Sequence, residues 1–126
     1  MTAPRFEASA PAAGPRVQGF SGRGFVVGST VYDGVLLTPE VALDWSPPAL
    51  VALEAGHVEA IVALDPPPEF LLLGTGAAMA FPPRAFVAAL EEKGIGVEAM
   101  DSRAAARCWG LLRGEGRWIA AALMPL

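Results

Sequence analysis

Three groups of residues could do chemistry in this chain. The first is the glycine turn Gly74-Thr75-Gly76, which closes the apolar run Phe70-Leu71-Leu72-Leu73. Glycines after a strand let backbone N–H groups approach a phosphate, so the turn is a candidate anion or nucleotide cradle. The second is Asp101-Ser102, about 25 residues on, where a ribose-binding acid would follow the next strand. The third is Arg107, which could supply a cation to the same cleft. In an open α/β sheet, ligands favour the crevice beyond the carboxyl ends of parallel strands. The same residues also suit a tight structural corner, with Asp101 and Ser102 capping a helix and Arg107 on its solvated face.

Spacing argues against a dinucleotide fingerprint. Met79 stands where the third glycine is needed, and Pro82-Pro83 delays the helix that should open at the turn. Pro83 also removes one N–H from that helix start. No Gly-Lys-Ser/Thr follows, which excludes a P-loop. His57 is the one histidine and has no nucleophile signature beside it. Gly19-Phe20-Ser21-Gly22-Arg23 departs from a nucleophile elbow, because Arg23 occupies the last glycine position. Cys108 falls on an apolar helical stripe, where a cysteine behaves as a small hydrophobe. One His, one Cys and the adjacent pair Glu91-Glu92 make no metal-ligand pattern. No catalytic residue, metal or cofactor is therefore expected.

The elements that must position the turn read as follows. Phe25–Val27 and Val31-Tyr32 are β-branched or aromatic runs bounded by glycines. Asp33-Gly34 predicts a two-residue hairpin joining Val31-Tyr32 to Val35–Leu37. Val41, Leu43 and Trp45 alternate with Ala42 and Asp44, which predicts a strand burying the first three. A short helix is expected near 57–64, ended by Pro66-Pro67-Pro68. Phe70–Leu73 predicts a strand buried on both faces. Phe86, Val87 and Leu90 form a helical stripe ending at Lys93-Gly94, with Pro83 suiting the first helical position. Ile95–Met100 predicts another strand. A helix with Ala105, Cys108, Trp109 and Leu112 on one face follows, and then a strand at Trp118–Met124. The fold class is α/β: a single three-layer domain around a central mixed β-sheet, an N-terminal β-hairpin region followed by β-α-β-α-β.

Composition fits that reading. The 126 residues are 53% apolar, enough for one core without disulfides. Net charge is −4, which argues against a general nucleic-acid or anionic-membrane binder. A lone cysteine fits a reducing compartment. Eight arginines against one lysine, with 24 alanines, suggest a GC-rich bacterial coding sequence. No apolar stretch reaches bilayer length, and residues 1–15 read as a loose Pro/Ala arm ahead of a domain at 16–126.

Several motifs in order resemble a known family. Leu71-Leu72-Leu73-Gly74-Thr75-Gly76 matches its L-L-x-G-T-G turn, and Gly94 to Asp101 its G-I-x-V-E-x-M-D strand. Ala104 to Leu112 matches its arginine-bearing helix, and Glu115-Gly116-Arg117 opens its closing strand. Phe25 to Trp45 is similar to its opening segment. The chain thus resembles the Mth938-like domain family of unknown function over roughly residues 17–124. That family includes a mitochondrial NADH:ubiquinone oxidoreductase (complex I) assembly factor. The resemblance implies a three-layer α/β domain and a protein partner, which could be a subunit of a respiratory inner-membrane complex. The implied place of work is the bacterial cytoplasm or the inner-membrane periphery. Here Ala106-Arg107-Cys108-Trp109-Gly110 replaces the family's Cys-Arg-Thr-Tyr-Asn, and Ser102 replaces a Thr. Losing those polar groups favours a scaffold or binding role over catalysis. The alternative is a small-molecule or anion-binding domain using Gly74, Thr75, Gly76 and Arg107, with Asp101 and Ser102 beside them.

Overall fold

Glycine-punctuated β-branched runs open the chain as a small antiparallel sheet. The computed structural model describes residues 14–126. In it β1 (Gly19–Ser21), β2 (Gly24–Val27) and β3 (Thr30–Tyr32) form that sheet in sequence order. Then come β4 (Val35–Leu37) and β5 (Ala42–Asp44), two 3-10 turns at Leu50–Ala52 and Ala55–Val58, and α1 (Glu59–Val62). The second half alternates β6 (Phe70–Gly74), α2 (Arg84–Glu91), β7 (Gly96–Met100), α3 (Ser102–Gly114) and β8 (Ala120–Leu123).

The second sheet has the order β5-β4-β8-β6-β7. Strands β6, β7 and β8 are parallel, while β4 runs antiparallel to both β8 and β5. The chain steps from β6 outward to β7 and then back past β6 to β8. Right-handed crossovers in opposite directions put their helices on opposite faces. Accordingly Phe86 and Leu90 of α2 share one core with Leu71, Leu73 and Ile61. Ala105 and Trp109 of α3 share the other with Leu72, Leu37 and Phe25 of the small sheet. The architecture is the expected three-layer α/β domain with a mixed central sheet.

Two local expectations are corrected. Asp33-Gly34 does not turn a hairpin, because β3 pairs with β2 whereas β4 pairs with β5 and β8. Every residue of β4 is buried, so it suits the interior of the large sheet. Val31 of β3 is 51% exposed and belongs on the outer one. The dipeptide carries the chain from one sheet to the other. Around β5 the expected buried face is only partly realised: Val41 and Leu43 are exposed, while Ala42 is half-buried against the α3-side core and Asp44 is exposed as expected. Trp45, beyond the strand, is buried, and its indole donates to the His57 carbonyl (2.8 Å). An edge strand has too little cover on that face to bury both branched residues.

The N-terminal arm falls mostly outside the described residues. Its last two members, Gly14 and Pro15, run beside α3, where the Trp109 indole donates to the Pro15 carbonyl (2.9 Å). Arg16 follows and donates to the Gly110 carbonyl (3.2 Å). Among the described residues no helix is long and apolar enough to cross a membrane.

Candidate functional site

Because β6 and β7 are parallel, the glycine turn and the start of α3 emerge at the same sheet end. The Thr75 N–H donates to the Met100 carbonyl (2.9 Å), extending the ladder one step beyond the strands. Gly74 is buried where the first turn of α3 crosses it. A Cβ there would sit 2.7 Å from Ser102 Oγ, 2.8 Å from Ser102 Cα and 3.0 Å from a Leu123 methyl. Only glycine fits that approach. Gly76 has φ +104°, a left-handed conformation that glycine adopts without strain.

Ser102 is the centre of this crossing. Its hydroxyl accepts from the Gly76 N–H (2.8 Å) and donates to the Met124 carbonyl (2.8 Å). Its own N–H donates to the Gly76 carbonyl (2.8 Å), while the Met124 N–H donates to the Gly74 carbonyl (3.0 Å). One buried side chain thereby ties together the ends of β6, β7 and β8. Thr75 closes the following loop: its hydroxyl donates to the Ala78 carbonyl (2.7 Å) and accepts from the Ala80 N–H (3.1 Å). Asp101 caps α3, accepting from the Ala104 N–H (2.9 Å).

Five of the six candidate residues, Gly74, Thr75, Gly76, Asp101 and Ser102, are therefore brought together. The N–H groups of Thr75 and Gly76 are already donated within the fold. Arg107 lies apart, five residues along α3 and thus about 7.5 Å further on. It is exposed and borders a shallow hollow of about 120 Å³ with Val17, Phe20 and Ala106. Next to the turn is a wider hollow of about 460 Å³ between Arg23, Asp33, Trp45, Thr75 and Met124.

Other side chains of chemical interest have local duties. His57 Nδ1 accepts from the Glu54 N–H (2.9 Å) as half of a capping box. Cys108 is half-buried at the α3-side core rather than fully enclosed. At the amino end of β6, Arg117 donates to Glu69 (2.8 Å), and that hydrogen bond holds the Glu69 carboxyl below its ordinary range. The same partnership raises Arg117.

Sequence reasoning passed over two kinds of feature. One is Arg113, buried at the end of α3, where it donates to the Arg117 carbonyl (2.7 Å) and lies over the Trp109 ring. The other is the pair Met79 and Phe81, both exposed in the loop before α2. Large apolar side chains in a proline-flanked loop were the legible signal.

Comparison with known proteins fits this geometry. Residues 17–124 match the family described as protein of unknown function DUF498/DUF598. A zebrafish (Danio rerio) protein named NADH dehydrogenase (ubiquinone) 1 alpha subcomplex assembly factor 3 is 32% identical over 114 residues, covering 90% of this chain and 66% of its own length. The chain spans 60 to 66% of the length of the assembly factors it matches. A crystal structure from Bordetella parapertussis is 31% identical with a TM-score of 0.79, covering 90% of this chain and 98% of that one. A Bordetella pertussis Mth938-like domain, 23% identical, shares the fold with a TM-score of 0.76 over 99% of this chain and 90% of its own. The chain belongs to the DUF498/DUF598 family and shares the α/β fold of the Mth938-like domain.

Proposed function

We propose that this chain is a non-enzymatic protein-interaction domain that assists assembly of a respiratory, complex I-like inner-membrane complex from its cytoplasmic side. The observation that carries this reading is the likeness, over 90% of the chain, to a protein named as a complex I assembly factor. The crossing at Ser102 supports it, since its polar groups bond to one another. The test is affinity capture of the tagged chain from its native host in mild detergent. Recovery of a respiratory subunit or membrane-insertion component is expected; recovery of neither overturns the reading. A thermal-shift screen against nucleotides and inorganic phosphate addresses the small-molecule alternative. A ligand at 100 times its Kd would stabilise the fold by about 2.7 kcal/mol. No shift of that size is expected.

A further inference from the structure

We infer that the free edge of β7, with the groove beside it, takes up an extended segment of a partner protein whose residues alternate between apolar and basic. The inference rests on the protein-interaction reading and assigns it a surface.

Among the described residues strand β7 ends the large sheet and pairs only with β6. The Gly96 N–H donates inward to the Glu69 carbonyl (3.3 Å), and the Met100 carbonyl accepts inward from Thr75 (2.9 Å). In a parallel ladder alternate residues face the same neighbour, so Gly96, Glu98 and Met100 bond to β6. Val97 and Ala99 then present their N–H and C=O groups outward. Among the described residues neither has a backbone partner on that side.

An open groove of about 730 Å³ runs along this edge between β7 and α2. The side chains of Val97, Ala99 and Val87 line it, and Met79 and Phe81 stand at its rim, 45% and 85% exposed. Solvent-facing edges are usually blunted by charged side chains, proline or a bulge. The Gly96–Met100 segment has no proline and a single charge, Glu98. Unpaired backbone groups beside an apolar trough suit strand addition: main-chain bonds give affinity and alternate side chains enter the trough.

Charge chooses the occupant. Glu98 is exposed between Val97 and Ala99 and points to the opposite face of the sheet, since its partner Leu72 lies in the α3-side core. An added strand therefore places one residue opposite Glu98 and its two neighbours over the groove. Lysine or arginine opposite a glutamate is favourable, whereas a like charge is not. A second copy paired symmetrically about Glu98 would set two glutamates face to face. In the groove itself Arg84 and Glu91 offset one another, so the preference for a basic residue rests on Glu98.

The test uses a short blocked peptide alternating Val and Lys, a counterpart alternating Val and Glu, and the isotope-labelled full chain. Addition of the Val/Lys peptide should slow amide exchange at Val97 and Ala99 and shift their resonances. E98K should weaken that peptide about fivefold and favour the Val/Glu counterpart. A99P, whose lost N–H faces away from β6, should abolish binding of both. Unchanged exchange at Val97 and Ala99 with saturating peptide overturns the inference. So does protection that follows the chain's own concentration without peptide, which assigns the edge to a second copy. In affinity capture, a respiratory partner retained equally by wild type, A99P and E98K overturns the edge while leaving the interaction reading intact. Peptide protection with no respiratory partner recovered does the reverse.

Discussion

The carboxyl end of β6 and the outer edge of β7 are neighbours that treat their backbone groups in opposite ways. At the crossing, Gly74, Gly76, Ser102 and Met124 exchange hydrogen bonds among themselves, and the one hydroxyl involved is fully buried. Along the edge, Val97 and Ala99 face outward beside an apolar trough. The contrast teaches where this domain has spare bonding capacity. A glycine-rich turn looks available for a ligand because glycine permits close approach, but here it is α3 that approaches. The alternation Val97-Glu98-Ala99 gives no sign of an open edge, yet the outward N–H and C=O groups of Val97 and Ala99 have no backbone partner among the described residues.

The strongest way to break that contrast is to put a side chain into the crossing. Gly74→Ala drives a methyl into Ser102 and Leu123 and should lower the unfolding free energy by roughly 3 kcal/mol in chemical denaturation, at the upper end of overpacking costs. A G74A protein of wild-type stability would mean that α3 does not pack on the turn. Next comes Ser102→Ala, which leaves the buried Gly76 N–H and Met124 carbonyl without this partner and should cost about 2 kcal/mol by the same measurement. Gly76→Ala, forced to hold φ +104°, should cost about 1 kcal/mol or somewhat more.

The edge should behave otherwise. Phe81→Ser changes a side chain that is 85% exposed, so stability should stay within about 0.5 kcal/mol of wild type while peptide uptake at β7 falls. The smallest effect belongs to the amino end of β6. Arg117 holds the Glu69 carboxyl below its ordinary value, so the folded state gains from ionised Glu69 above the usual carboxylate range. That gain is lost as pH falls through the depressed folded value. Glu69→Gln should flatten this acid-side slope in a denaturation series across pH and leave neutral-pH stability little changed, because the pair is exposed.

How much was legible follows from which forces act locally. The uninterrupted run Phe70–Leu73 named a strand buried on both faces, and Asp101 before a period-3.6 stripe named a helix cap; both are local patterns. Asp33-Gly34 misled because turn propensity cannot say which strands pair next. Val35–Leu37 is claimed by β8 from the far end of the chain. The exposure of Val41 and Leu43 has the same origin, since alternation marks an apolar face and tertiary cover decides how much of it is buried. At the turn, five candidate residues converge because parallel strands end together. Arg107 does not join them, because five further helical residues carry it to the hollow beside Val17. The importance of Ser102 was hidden, as a serine at a helix start gives no sign that three strand ends will close over it. The β7 edge was invisible for a related reason: being last in a sheet is a property of topology, not of the strand's own residues.

Residue-resolved amide hydrogen exchange on the full chain tests the central contrast most directly. The Gly76 amide, held by a buried hydroxyl, should exchange only through global or near-global unfolding, whereas Val97 and Ala99 should exchange orders of magnitude faster from the native state. Fast exchange at Gly76, or a Gly76 resonance that moves on adding phosphate or nucleotide while Val97 and Ala99 stay protected, would contradict it.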